Sequence, residues 1–167
     1  MRLFVAVNFT PEIKSSLLES VLSLKDQGCR ANFTSPENIH LTLAFIGETS
    51  RTEEIKKLLN GVRVTPFEIT LNGSGHFGSL YYADIEKSEE LSALTSVIRG
   101  ILTNAGIAID KKPFLPHITL AREVICDKPP VLKIKKCSMT VNSFSLMKSE
   151  RVYGKLVYTK IFEKKLF

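Results

Sequence analysis

One five-residue pattern occurs twice and limits the fold more than any other feature of the chain. His40-Leu41-Thr42-Leu43-Ala44 returns as His117-Ile118-Thr119-Leu120-Ala121, 77 residues later. Both copies alternate polar and apolar residues, the period of a half-buried β-strand. Successive strand side chains point to opposite faces, so His40 and Thr42 share one face while Leu41 and Leu43 share the other. The second copy sorts His117 and Thr119 from Ile118 and Leu120 in the same way. The fold must therefore bury two aliphatic faces and leave two rows of imidazole and hydroxyl open. The chain has three histidines, and two of them hold this same place.

Read in order, residues 2–8 form a buried strand. Thr10 caps a helix with Pro11 at its first position. Ile13, Leu17, Val21 and Leu24 make its apolar stripe, and Gly28 is its stop. A short strand at 30–34 and a turn at 35–38 lead into the His40 strand, which runs to Phe45 or Ile46. Ser50-Arg51-Thr52-Glu53 has the spacing of a capping box, so a second helix is expected from there to Asn60-Gly61. Strands at 66–72 and 80–86 follow, with Gly73–Ser79 between them as a flexible connection. Ser88 caps a third helix whose stripe is Leu91, Leu94, Ile98, Ile101, Leu102 and Ala105, closed by Gly106. A short strand at 107–109 precedes the His117 strand, and Pro129-Pro130 marks a linker. Two antiparallel strands at 133–147 and 152–162 are expected to join near 148–151.

The pattern predicts an α+β chain, one domain over residues 1–167. Two similar lobes of antiparallel sheet, helices outside, bring the histidine strands to a central cleft. The alternative is one antiparallel sheet with its helices on one face and no internal symmetry.

Charge is unevenly placed. The net charge is +6, but residues 1–109 hold 10 Lys and Arg against 12 Asp and Glu, and residues 110–167 hold 13 against 5. A basic second part favours a polyanion, nucleic acid first; the competing reading is a solvated lysine-rich face. Cys29, Cys126 and Cys137 are odd in number and lack any Cys-x-x-Cys spacing. That argues against a disulfide scaffold or zinc ribbon and for a reducing cytoplasm. Residues 1–7 are too short for a signal peptide's apolar region and cleavage site, and no stretch reaches the length of a membrane span. A monomer in the cytoplasm is expected.

Two histidines facing one cleft suit paired proton transfer, because an imidazole with a pKa near 6.5 supplies both acid and base forms near neutrality. The threonine hydroxyls beside them are placed to donate to anionic oxygens. An in-line attack at phosphorus needs this layout, with base and acid on opposite sides and donors between. Other chemistries fit less well. The repeat offers only two strong metal ligands, with no cysteine or carboxylate inside it, so no metal is expected. No nucleophile elbow is present, and Gly73-Ser74-Gly75 lacks the following Gly-Lys-Ser/Thr of a phosphate loop.

His40-Leu41-Thr42-Leu43 with Phe45 and Gly47, and Phe114-x-Pro116-His117-Ile118-Thr119-Leu120-Ala121-Arg122, resemble the two signatures of the two-histidine (2H) phosphoesterases. The likeness is closest to the LigT-like RNA 2′,3′-cyclic phosphodiesterases. It extends to the Met1–Ala6 opening, the Gly-x-Gly-x-Phe at 73–77, and the ending with Leu146, Ser149 and Gly154. The resemblance implies a bilobal fold and metal-independent, cofactor-free hydrolysis of an RNA 2′,3′-cyclic phosphate to a 2′-phosphomonoester. It implies His40 as proton donor to the 3′-oxygen and His117 as proton acceptor from water, with Thr42 and Thr119 on the phosphate oxygens. It also implies reverse joining of RNA ends through a 2′-5′ linkage, with tRNA halves among the candidate substrates. The symmetry of the repeat alone permits the opposite acid–base assignment.

One departure from the family pattern stands out. Many relatives carry an arginine after Gly-x-Gly-x-Phe, where this chain has Gly78-Ser79-Leu80 and an extra His76. The lost cation should weaken phosphate contacts or shift them to Arg122 and the C-terminal lysines. Arg122 lies an odd number of residues from His117, so strict alternation points it away unless the strand bulges; phosphate binding and a structural ion pair are both open. Phe114 and Phe45 are candidates to stack on a base, with core packing the stronger reading for Phe45. His76 reads as a surface residue, and at most one of Tyr81 and Tyr82 faces the cleft. Two other functions fit the chain: a phosphodiesterase for small cyclic nucleotides or 2′-5′ oligonucleotides, separable by product analysis, and a non-catalytic RNA-binding module. The module would bind RNA in a salt-sensitive way and be indifferent to His40 and His117.

Overall fold

The computed structural model describes all 167 residues. In chain order the elements are β1 (Arg2–Asn8), α1 (Pro11–Asp26), β2 (Arg30–Phe33), a 3-10 turn (Pro36–Asn38), β3 (His40–Glu48) and α2 (Thr52–Asn60). Then come β4 (Phe67–Phe77), β5 (Leu80–Ile85), α3 (Glu89–Asn104), β6 (His117–Ile125), β7 (Cys137–Val141), β8 (Ser143–Val152) and β9 (Lys155–Lys165). The strands form two sheets with orders β3-β1-β8-β9 and β2-β6-β5-β4-β7, and every pairing is antiparallel. The lobes are not the two halves of the chain. The C-terminal hairpin completes the sheet begun by β1, and β2 crosses over to pair with β6.

The apolar faces of the motif strands anchor both sheets. Leu41, Leu43, Ile118 and Leu120 are fully buried in one continuous core with Leu3, Val5, Leu17, Ile98 and Leu146. Truncating any of the four leucine or isoleucine side chains to alanine would cost about 2–5 kcal/mol. β1 is apolar on both faces: Phe4 and Ala6 turn away from the main core and pack with Met147, Phe45 and Tyr158. Thr10 and Ser88 cap α1 and α3 by accepting from the amides of Ile13 and Leu91.

Several local expectations are corrected. Ser50 does not cap α2. The helix starts at Thr52, one residue later than a Ser50 cap would set, which moves Glu53 off the capping-box position, and Arg51 occupies the N-cap. The Arg51 guanidinium instead holds Glu54 and the carbonyls of Ala105 and Gly106 at the end of α3. Gly73–Phe77 is strand, not a flexible connection, with only Gly78-Ser79 as the turn. Gly75 is needed there because the Tyr82 ring lies across it: a Cβ would sit 2.6 Å from Tyr82 Cζ. Residues 107–109 form no strand, although the Asp110 amide donates to Phe45 O at 2.8 Å. The segment at 133–147 is split at Asn142, where the chain passes from one sheet to the other. The last hairpin turns at Tyr153-Gly154 rather than at 148–151.

The cysteine expectation is also overturned. Cys29 and Cys126 form a disulfide across 97 residues of chain. They flank the antiparallel β2–β6 pair, in which Arg30 faces Ile125, so strand pairing brings together two residues whose sequence spacing carries no signal. Cys137 is free. No helix is long and apolar enough to cross a membrane.

Candidate active site

The two motif strands hold their imidazoles by the same device. His40 Nδ1 donates to Asn38 O at 2.7 Å, and His117 Nδ1 donates to Leu115 O at 2.6 Å. In each case the acceptor is the backbone carbonyl two residues upstream. A proton fixed on Nδ1 leaves Nε2 as the working nitrogen. Both rings line one cleft of about 1110 Å³ between the sheets, together with Thr42, Thr119, Arg122 and Phe114. His40 Nε2 meets Thr42 Oγ1 at 2.8 Å. Thr119 has its backbone carbonyl engaged by Thr34 Oγ1.

The repeat also extends one step beyond its sequence signature, into the backbone. β3 slips register against β1 between its Thr42 and Ala44 partners, and β6 slips against β5 between Thr119 and Ala121. A bulge resets the alternation of a strand, so the leucine and the following alanine are both buried in each copy. The fifth residue after each histidine is thereby turned into the cleft: Phe45 in one copy and Arg122 in the other. Strict alternation would have sent Arg122 outward. Glu123, at φ 54, continues the distortion and accepts from Asn32 Nδ2 at 2.8 Å, while Arg122 makes no ion pair.

Each imidazole is packed by two aromatic rings. Phe4 and Tyr158 lie 4.9 and 5.1 Å from His40, Tyr158 edge-on at 90°. Phe77 and Tyr82 lie 5.3 and 5.5 Å from His117. Burial lowers the His40 pKa from 6.5. The Asn38 hydrogen bond opposes this, while the charges of Arg122, His117 and Lys14 add to it. Burial likewise raises the Tyr158 phenol.

Sequence reasoning missed Phe4, Phe77, Tyr158, Arg2 and Arg151 as cleft residues. The cations that line the cleft beside Arg122 are Arg2, Arg99, Lys112 and Arg151, whereas Lys160, Lys164 and Lys165 do not line it. Arg2 sits over the Phe45 ring at 5.1 Å. Phe114 lies beneath Arg99, which ties α3 to β3 through Leu43 O. Of the tyrosine pair, Tyr82 packs on His117 while Tyr81 stacks on His76, away from the cleft. No three His, Cys, Asp or Glu side chains group in a way that would hold a metal ion.

Residues 16–152 match the model of the 2′-5′ RNA ligase superfamily. The chain belongs to that superfamily. It is 33% identical over 131 residues to the RNA 2′,3′-cyclic phosphodiesterase of Thermotoga maritima, covering 73% of this chain and 70% of that protein. To the enzyme of the same name from Thermus thermophilus it is 32% identical, covering 95% and 87%. Its fold is similar to that of E. coli LigT crystallised with 3′-AMP, with a TM-score of 0.83 and 26% identity over 99% of this chain and 97% of that one. The two antiparallel sheets and few helices are those of this LigT-like branch of the superfamily.

Proposed function

We propose that this chain hydrolyses RNA 2′,3′-cyclic phosphate ends to 2′-phosphomonoesters by paired-histidine acid–base catalysis that needs no metal. It is an RNA 2′,3′-cyclic phosphodiesterase, a reading supported by relatives of that name at 33% and 32% identity. The observation that carries the mechanism is the matched pair of imidazoles, each bound at Nδ1 and lining the same cleft. His117 Nε2 takes a proton from water as the water oxygen bonds to phosphorus. The P–O3′ bond breaks, and the His40 imidazolium delivers its Nε2 proton to the departing 3′-oxygen. Thr42, Thr119 and Arg122 donate to the non-bridging oxygens, and Phe114 offers its ring to a base. With an RNA 5′-hydroxyl in place of water, the same steps join two ends through a 2′-5′ linkage.

His40 must hold its second proton to act as acid, and burial of the ring opposes this. An anionic phosphate against the ring reverses the balance. Once charged, His40 gives up Thr42 Oγ1 as a donor to Nε2, and that hydroxyl is released to the phosphate. The lowered pKa equally suits His40 as base, with His117 as acid. A leaving group that departs without a proton, which rescues only the variant lacking the acid, separates the two assignments.

The direct test is the product formed from an oligoribonucleotide ending in a 2′,3′-cyclic phosphate, with chelator present. A 2′-phosphate is expected. A 3′-phosphate would reverse the bond assignment, and chelator-sensitive turnover would sink the metal-free mechanism.

A further inference from the structure

The tip of the last hairpin is built against its own backbone preference. β8 and β9 pair out to Val152 and Lys155, leaving Tyr153 and Gly154 as a two-residue turn with φ of 49° and 79°. Such a turn requires positive φ at both positions and favours Asn-Gly, Asp-Gly or Gly-Gly. A bulky aromatic residue in the left-handed region is a local strain that is often retained where the side chain has work to do. Tyr153 does none in the fold: it is 102% exposed.

Its surroundings are basic and continuous with the catalytic cleft. Arg151 lines that cleft with Ser149, Leu156 and Tyr158 of the same hairpin. Its guanidinium meets only Gly154 O, at 3.2 Å, and no carboxylate. Lys155, also exposed, has no acidic partner, and the nearby Glu150 is already paired with Lys148. Arg2 lies between Ser149 on β8 and Glu48 on β3; the Glu48 carboxylate is held by the Met1 amino group, and Arg2 itself makes no ion pair. At the other end of this surface Tyr158 rests on His40. The strand from Tyr158 to Lys155 spans about 10 Å, and the turn carries Tyr153 beyond its end, so the two rings lie along successive nucleotides rather than on one. An exposed ring flanked by unpaired cations is how proteins hold single-stranded nucleic acid.

We propose that the β8–β9 tip is a second RNA subsite, in which Tyr153 stacks on a base upstream of the cyclic end while Arg151 and Arg2 hold the intervening phosphodiesters. The proposal rests on the RNA-end reading of the cleft and adds to it a preference for polymers over cyclic mononucleotides.

The test compares uridine 2′,3′-cyclic phosphate with a short single-stranded RNA ending in the same group. Tyr153→Asn places a preferred turn residue at the tip, so the variant should fold at least as well as the parent. Its kcat/KM on the RNA should fall about tenfold, the lower part of the range for one stacked base. On the mononucleotide it should stay within about twofold. Tyr153→Phe should retain the RNA activity, and Arg151→Gln should lower the salt slope by about one phosphate. Equal losses on both substrates, or no loss on the RNA, would overturn the subsite. If the parent turns over neither substrate, the cleft reading fails by itself. Equilibrium binding of the same RNA with a 2′-phosphate end then decides the subsite: a loss of about tenfold in Tyr153→Asn supports it, and unchanged binding overturns it.

Discussion

The two motif strands share a sequence, a bulge and a carbonyl clamp, yet they give their histidines different surroundings. His40 sits on β3, an edge strand, under Phe4 and Tyr158, with its Nε2 already held by Thr42. His117 sits inside the second sheet on β6, packed by Phe77 and Tyr82, with no protein partner on Nε2. A nitrogen with no protein partner is suited to meet water, and one already beside a hydroxyl is suited to meet an ester oxygen. The repeat supplies two imidazoles held in the same way, and the aromatic residues brought in by other strands give them unequal surroundings.

The largest effects should come from the histidines themselves. His40→Ala and His117→Ala should each lower kcat on a cyclic phosphate by about 10²–10⁴. The comparison sharpens when the leaving group is changed. A 4-nitrophenyl phosphodiester leaves without a proton, so the variant lacking the acid should recover most of its rate and the variant lacking the base should not. Recovery in His40→Ala alone supports the assignment made above, and recovery in His117→Ala alone reverses it.

The strands also differ in how they are held. β6 is stapled to β2 beyond its far end by Cys29–Cys126. β3 is held by hydrogen bonds from Arg99 to Leu43 O and from the Asp110 amide to Phe45 O. Cys29→Ser should destabilise the fold by about 2–4 kcal/mol, lowering Tm by about 5–15 °C, with kcat near parental below the transition. An unchanged Tm under reducing and oxidising conditions would show that strand pairing alone holds β6.

The threonines extend the contrast. Thr42→Val and Thr119→Val each remove a hydroxyl that lines the cleft, and each should cost about 10²-fold in kcat. Only Thr42 also bonds a histidine, so only Thr42→Val should displace the His40 titration. Equal shifts in both variants would mean that the hydroxyl at 2.8 Å does not act on the imidazole.

What was legible in the sequence was whatever has a period or a cap. A continuous apolar run located β1, alternation located β3 and β6, the four-residue stripes located α1 and α3, and the doubled His-x-Thr-x located the cleft. What was not legible depends on other strands. Strand alternation cannot announce a bulge, so the sequence left the direction of Arg122 open until the register shift at Leu120 decided it. Tyr158 and Phe4 read as ordinary strand residues because their nearness to His40 exists only once β9 and β3 share a sheet with β1. Gly73-Ser74-Gly75 read as a loop because glycine usually breaks strands, whereas here Gly75 makes room for a ring on the neighbouring strand. The disulfide failed for the same reason: its partners meet only through the β2–β6 pairing.

The smallest effect follows from the His40 environment, and its sign is fixed by the groups around it. Burial and the neighbouring positive charges lower its pKa below 6.5, so the ring in the free protein should titrate below that value by NMR. Arg122→Gln and His117→Ala each remove a positive neighbour and should move the titration upward. Tyr158→Ala should do the same by admitting water. A 2′-nucleotide bound in the cleft should raise it further, because its phosphate supplies the opposite charge. Linkage gives the matching stability change: the unfolded chain binds the proton more readily, so the stability attached to neutral His40 is full above pH 6.5. It is lost as pH falls through the lowered folded value. A His40 titration that does not rise when the nucleotide binds would mean that the phosphate does not lie against this ring, and the role of acid would then fall to His117.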